Sequence, residues 1–289
     1  MRNEFKARLA MDQEAVEARL KTLFLDDGCG TLNESMRYSL LAGGKRIRPV
    51  LTLAFSRLFG GEDEPALTAG ISIEMVHTYS LIHDDLPCMD NDDLRRGKPT
   101  SHMVFGEAGA VLAGDALLTE AFSNLCRVNL PPERLIRLVE VLSECSGAEG
   151  MVGGQILDLD AELVPPDKDG VEKIQNLKTG ALIRAACQMG VICADGDREA
   201  MHAAAQFAEH LGRAFQIRDD LLDAEGSEEK IGKKTGMDGN KTTFLSLFGA
   251  QWCRDEILRR TQSACFSIRS YSGSDYLCEL AETLAVRDH

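Results

Sequence analysis

Apolar residues recur every three or four positions along nearly the whole chain, and no run shows the strict alternation of a half-buried strand. The pattern therefore predicts an all-α protein. Clusters of Gly, Pro, Asn, Asp and Ser interrupt it at 27–30, 60–65, 97–99, 129–132, 165–170, 195–197, 226–239 and 272–274. Between them lie about ten helices, several long enough to cross a domain. No shift in composition marks a linker and no hairpin-length repeat is present, so residues 1–289 are expected to form one domain.

Two places break the binary pattern. In the helix predicted over 201–223, Met201, Ala204, Ala208, Leu211, Phe215 and Leu222 make one apolar stripe, and Asp219 falls on it. A carboxylate aimed at the interior is costly unless it is paired or holds a metal. Asp219 and Asp223 are i and i+4, sharing a face, with Asp220 beside them. The second place is 81–102, LIHDDLPCMDNDDLRRGKPTSH, where Asp84, Asp85, Asp90, Asp92 and Asp93 crowd together ahead of Arg95, Arg96 and Lys98. His77, Ser80 and Asp84 share one helix face, whereas Asp90 lies about 240° away on a straight helix. Both aspartates serve one site only if the helix breaks between them, and Pro87 supplies the break.

Each cluster alone also reads as a solvated acidic helix end. Together, with no softer donor nearby, they are the ligand set of a hard divalent cation, and magnesium bridging to phosphate oxygens fits best. The net charge of −14 disfavours nucleic acid and anionic membranes as partners, and it repels an anionic substrate unless cations intervene. Such cations are present beside Gly and Pro. Lys45, Arg46 and Arg48 stand in GGKRIRP, Arg95, Arg96 and Lys98 in LRRGKPTSH, and Lys233, Lys234 and Lys241 in GKKTGMDGNKTT. Arginine forks and lysine point charges on flexible backbone suit diphosphates. Three basic and two acidic clusters imply two diphosphates, one held through magnesium and one held directly.

There is no P-loop, dinucleotide fingerprint or G-x-S-x-G elbow, so kinase, hydride-transfer and serine-hydrolase readings have no residues to stand on. No stretch approaches the roughly 18 apolar residues of a membrane span, and the first twenty residues pattern as an amphipathic surface helix. A cytoplasmic protein without a signal peptide or stable membrane insertion is expected. Nine cysteines without a C-x-x-C pair argue against zinc or a disulfide framework; they are expected to be reduced and mostly buried, Cys88 as a spacer beside Pro87.

GGKRIRP, HDDLPCMDNDDLRRGKPTSH, GGQILDLD (153–160), KTGALIRAA (178–186) and FQIRDDLLD (215–223) occur in the order seen in the trans-isoprenyl diphosphate synthases, and the chain resembles that family from residue 33 to about 243. The resemblance implies an orthogonal helical bundle around a deep central cavity, usually a homodimer. It implies that Asp84 and Asp90 ligate magnesium with Asp85 in support, and that Asp219 ligates a further ion with Asp223 acting through water, for three Mg2+ per active site. Arg95, Lys178, Lys233 and Lys241 would clamp the allylic diphosphate. Lys45, Arg48, His77 and Arg96 would hold isopentenyl diphosphate, and Thr179 and Gln216 would face the reacting carbons.

Product length would be set one turn before the first aspartate, at Ser80 and Tyr79. An aromatic residue at the position of Tyr79 is typical of bacterial farnesyl (C15) synthases in the family, whereas plant-type geranylgeranyl (C20) enzymes carry a smaller one; C15 is expected. A terpene cyclase would carry N-D-x-x-S-x-x-x-E in place of DDLLD, and a non-catalytic subunit of a heteromeric synthase tends to lose an aspartate motif, whereas both are intact here. The C-terminal Val286, Arg287, Asp288 and His289 either close over the isopentenyl site, as basic tails do in some relatives, or fray.

Overall fold

The computed structural model describes residues 2–25, 29–225 and 242–287. Its helices are α1 (Arg2–Lys21), α2 (Gly30–Leu40), α3 (Ile47–Leu58), α4 (Asp63–Asp84), α5 (Ser101–Leu125), α6 (Pro132–Ser146), α7 (Met151–Leu163), α8 (Lys168–Gln175), α9 (Ala181–Cys193), α10 (Arg198–Glu225), α11 (Phe244–Ile268) and α12 (Asp275–Ala285). A π-helical turn, Asn176–Gly180, joins α8 to α9. The all-α expectation holds, with one addition. Leu94–Arg95 and Lys98–Pro99 pair as a two-residue antiparallel ladder. Arg96 and Gly97 at its tip both take positive φ, 54° and 74°, the primed turn that matches strand twist.

Helix α9 is apolar on nearly every side and buried on nearly every side, so it forms the axis of the bundle. Helices α3, α4, α6 and α10 pack around it. Phe55 of α3 meets Phe207 of α10 edge to face across this core, ring centroids 5.3 Å apart. A smaller apolar cluster, including Val171, Ile217 and Phe244, ties α8, α10 and α11 together.

The stripe expected on α10 is rotated from its sequence reading. Ala204, Phe207, Ala208, Leu211, Ala214, Ile217 and Leu221 are the buried line, while Met201, Phe215 and Leu222 are only partly covered. One residue of offset is about 100° of helix rotation. Asp219 therefore leaves the apolar interface and stands 41% exposed, paired with Arg287. Its carboxylate needs no buried partner from the core.

Candidate active site

Helix α4 carries the first acidic cluster to its C-terminal end. The chain turns at Pro87, so that the Asp90 amide donates to the Asp84 carbonyl at 2.9 Å and the Asn91 amide, at φ 53°, to the Leu86 carbonyl at 3.1 Å. The reversal brings Asp90 back beside Asp84. Burial pushes the Asp84 carboxyl up to about 6, with Lys178 opposing the shift and Asp90 adding to it. Asp85 is buried and points elsewhere, accepting from Arg95 Nε at 2.8 Å, and Arg95 also reaches Asp92 at 3.4 Å. Cys88 is exposed, contrary to its reading as a buried spacer, because the loop after Pro87 lies on the surface. Five of the nine thiols are buried, among them Cys145, Cys187 and Cys193.

GGKRIRP forms the tight bend ahead of α3, with positive φ at Gly43, Gly44 and Arg46. The left-handed Arg46 turns its guanidinium inward to Glu74 and Glu17, both at 2.7 Å, and to the Leu40 carbonyl at 2.6 Å. Arg46 is thus a strut. Lys45, Arg48, His77 and Arg96 line a cavity of about 430 Å3 together with Ile183 and Phe215. Arg96 is held there by the Gly43 carbonyl. Gly44 sits at φ 140°, a backbone that favours glycine, and the Arg96 guanidinium lies against it. Burial, with neighbouring cations, lowers Lys45, Arg48 and Arg96 from their usual values. His77 falls well below its ordinary range through desolvation and Arg48. Arg46, which also lines this cavity, is, despite its burial, raised instead by Glu74 and Glu17, so the cations left for an anion are Lys45, Arg48 and Arg96.

A second cavity of about 360 Å3 adjoins the first, since Arg48 and His77 line both. Its walls are Tyr79, Ser80, His83 and Asp84 of α4 and, opposite, Met151, Gln155 and Leu159 of α7. Tyr79 stands edge-on to His83 at 5.7 Å between ring centroids, and burial, then Asp84, push its hydroxyl up to about 12. Lys178 and Thr179 complete the lining from the π turn. The Thr179 hydroxyl donates to Gln216 Oε1 at 2.9 Å, and Gln175 Nε2 donates to Asp220 at 3.2 Å. Lys178 donates to Asp158 at 2.7 Å.

From the other side, Arg287 reaches Asp219, donates to the Phe215 carbonyl at 3.3 Å and lies 3.6 Å over the Phe215 ring. The tail thus packs at Arg287 on Phe215, which lines the cationic cavity. Asp223 is exposed. Lys233, Lys234 and Lys241, with residues 288–289, lie outside the described residues. Sequence reasoning gave no role to Asp158 or Gln175 and set Asp220 only beside Asp219 and Asp223. The usable signal for Asp158 was its i+4 spacing from Gly154 in GGQILDLD.

The donor chemistry fits magnesium. Asp84 and Asp90 are neighbouring carboxylates, one raised chiefly by burial and further by the other's charge, and a divalent cation between them would relieve both costs. Among the described residues no three acidic, His or Cys side chains converge on one point. A cation there completes its shell from water and phosphate, as magnesium does and zinc in a closed protein cage does not.

Residues 30–266 match the polyprenyl synthetase family. The chain belongs to that family. It is 44% identical to the farnesyl diphosphate synthase of Bacillus subtilis over all of both chains. It is 45% identical to geranylgeranyl pyrophosphate synthase 3 of Arabidopsis thaliana over 89% of this chain and 74% of that one. The geranyltransferase of Helicobacter pylori, complexed with magnesium and isoprenyl diphosphate, superposes with a TM-score of 0.88 at 33% identity, covering 96% of each chain. This polyprenyl synthetase is accordingly a prenyltransferase of the chain-elongating kind. No helix among its described residues is long and apolar enough to cross a membrane.

Proposed function

We propose that the protein joins isopentenyl diphosphate head to tail with the allylic dimethylallyl and geranyl diphosphates, giving mainly farnesyl diphosphate. The observation that carries this is the sharing of Arg48 and His77 by a cationic pocket and a prenyl-sized cavity, with Asp84 at the mouth of the latter. Lys45, Arg48, His77 and Arg96 hold isopentenyl diphosphate. Arg95 and Lys178 meet the allylic diphosphate, with Lys233 and Lys241 as further candidates.

Asp84, Asp90 and Asp219 would hold three Mg2+, Asp85 and Asp223 supporting them; when bound, the ions neutralise charge on the departing diphosphate. Lys178 adds a fixed positive charge at the same place. The apolar walls exclude water from the allylic cation, and Thr179, its hydroxyl proton given to Gln216, lines the same cavity. His77, held neutral, donates or accepts a hydrogen bond without adding charge. The isopentenyl double bond then attacks, oriented by its own diphosphate grip. Tyr79 closes the cavity beyond Ser80 and limits growth to C15. The likeness to a plant geranylgeranyl enzyme keeps a C20 product as the second reading.

The outer face of α5, where Met103 is 55% and Leu112 58% exposed beside Val104 and Val111, supports a homodimer through that helix. Unpaired thiols fit a single-domain enzyme of the cytoplasm. Incubation with magnesium, isopentenyl diphosphate and dimethylallyl diphosphate, read by mass spectrometry beside a chelator control, tests the proposal. A chelator-sensitive C15 product is expected; no prenyl product at all would refute it.

A further inference from the structure

A lysine is a point charge on a flexible four-carbon stem with many rotamers, so an unheld ammonium spends little time where a diphosphate needs it. Lys178 is held. Its Nζ donates to Asp158 Oδ2 at 2.7 Å, across twenty residues of chain, with both side chains largely covered. Asp158 and Gly154 are i and i+4 on α7 and so share the face that meets the π turn. A Cβ on Gly154 would lie 2.2 Å from the Lys178 backbone nitrogen and 2.7 Å from the Leu177 carbonyl carbon. Helix α7 therefore rides directly on the backbone of Lys178, and Asp158, one turn further on, catches the end of the same side chain. The π turn itself widens the helix at this point, as such turns do at functional sites.

We infer that Asp158 is a positioning residue: from α7 it holds the Lys178 ammonium at the mouth of the prenyl cavity, with Gly154 setting the approach. Asp158 lines the polar pocket beside Gln175, Gln216 and Asp220, whereas Lys178 lines both that pocket and the prenyl cavity with Asp84. The ammonium thus stands between Asp158 on one side and the aspartate cluster on the other. A carboxylate repels a diphosphate, so contact between Asp158 and the substrate would weaken binding. Its contribution is direction, delivered through the lysine. Asparagine keeps an acceptor oxygen in the same place and preserves that direction.

This inference rests on Lys178 being an allylic-diphosphate ligand, and the test separates the two. The full chain is assayed with geranyl and isopentenyl diphosphates varied independently, as Asp158→Ala, Asp158→Asn, Lys178→Ala and the Ala–Ala double variant. Asp158→Ala is expected to lower kcat/KM for the allylic substrate about tenfold while leaving KM for isopentenyl diphosphate within about twofold. Asp158→Asn should recover most of the loss. In the Lys178→Ala background, removing Asp158 should change the allylic value by less than about twofold, because the effect has lost its carrier. Independent, multiplying losses overturn the inference, and so do equal changes in both substrates' KM, the signature of a merely structural tie. If Asp158→Ala fails to fold, Asp158→Glu, which displaces the charge by one methylene, must lower the allylic value instead. Loss in Lys178→Ala with none in the Asp158 variants sinks this inference alone; no loss in Lys178→Ala sinks the ligand assignment with it.

Discussion

Replacing Tyr79 by alanine tests how chain length is controlled. The ring is 6% exposed, packs edge-on against His83 and forms part of the wall of the 360 Å3 cavity. Truncating a buried aromatic costs about 3–5 kcal/mol, and the lower end applies because one side of this ring borders open space that a substrate tail can fill. The gain is on the product side. One further isoprene unit has five carbons, worth about 4 kcal/mol at ~0.8 kcal/mol for each carbon taken out of water. Since about 1.4 kcal/mol is a factor of ten in an equilibrium, a cavity opened by the missing ring should favour elongation of bound farnesyl diphosphate over its release. Incubation with geranyl and isopentenyl diphosphates, followed by product sizing, should give mostly C20 from Tyr79→Ala and C15 from both the parent and Tyr79→Phe. A destabilised variant that still stops at C15 would refute the argument: the ring would be packing, with no hold on the tail. C20 from Tyr79→Phe would refute it differently, by moving control from the ring to the hydroxyl.

Asp84→Asn should cut turnover by at least ~100-fold at saturating magnesium, read in steady-state assays across a magnesium titration. The same variant should be the more stable protein. The folded Asp84 carboxyl at about 6, against ~3.9 unfolded, gives a stabilisation that is fully present below pH ~4 and lost as pH rises through 6. In chelator, urea unfolding should therefore favour Asp84→Asn by about 2 kcal/mol at pH 8, with the gap closing toward pH 4. Glu74→Gln should destabilise by about 3 kcal/mol in denaturant melts, because Arg46 is left buried with one carboxylate partner fewer. Gly154→Ala should push α7 off the π turn, costing about 1–3 kcal/mol of stability and a larger share of allylic kcat/KM, separable by melting curves and kinetics.

Local signals carried some of this design and not the rest. The helices were legible because apolar spacing is a property of each segment, and the break at Pro87 because a missing N–H acts on its own turn. Asp219 was misplaced by one position of helix phase, since a stripe of six residues fits two neighbouring rotations almost equally well. The strut at Arg46 was hidden in a motif where three cations look alike; only the left-handed backbone at that residue sends one inward to Glu74. Arg287 on Asp219 and Lys178 on Asp158 are pairings across 68 and 20 residues, and nothing local to either partner announces them. The two-residue ladder at 94–99 is too short for any alternation to show.

The cationic pocket lies in a molecule whose overall charge is −14. Far from the surface an approaching diphosphate feels the whole protein and is turned away; near the mouth it feels Lys45, Arg48 and Arg96. Ionic strength decides which of these sets the rate of encounter. At 0.01 M salt the field reaches about 30 Å and the repulsion dominates, whereas at 0.15 M it reaches only about 8 Å and the pocket acts alone. Capture of isopentenyl diphosphate should therefore quicken as salt is first added and slow once the pocket itself is screened, a maximum that a uniformly basic enzyme would lack.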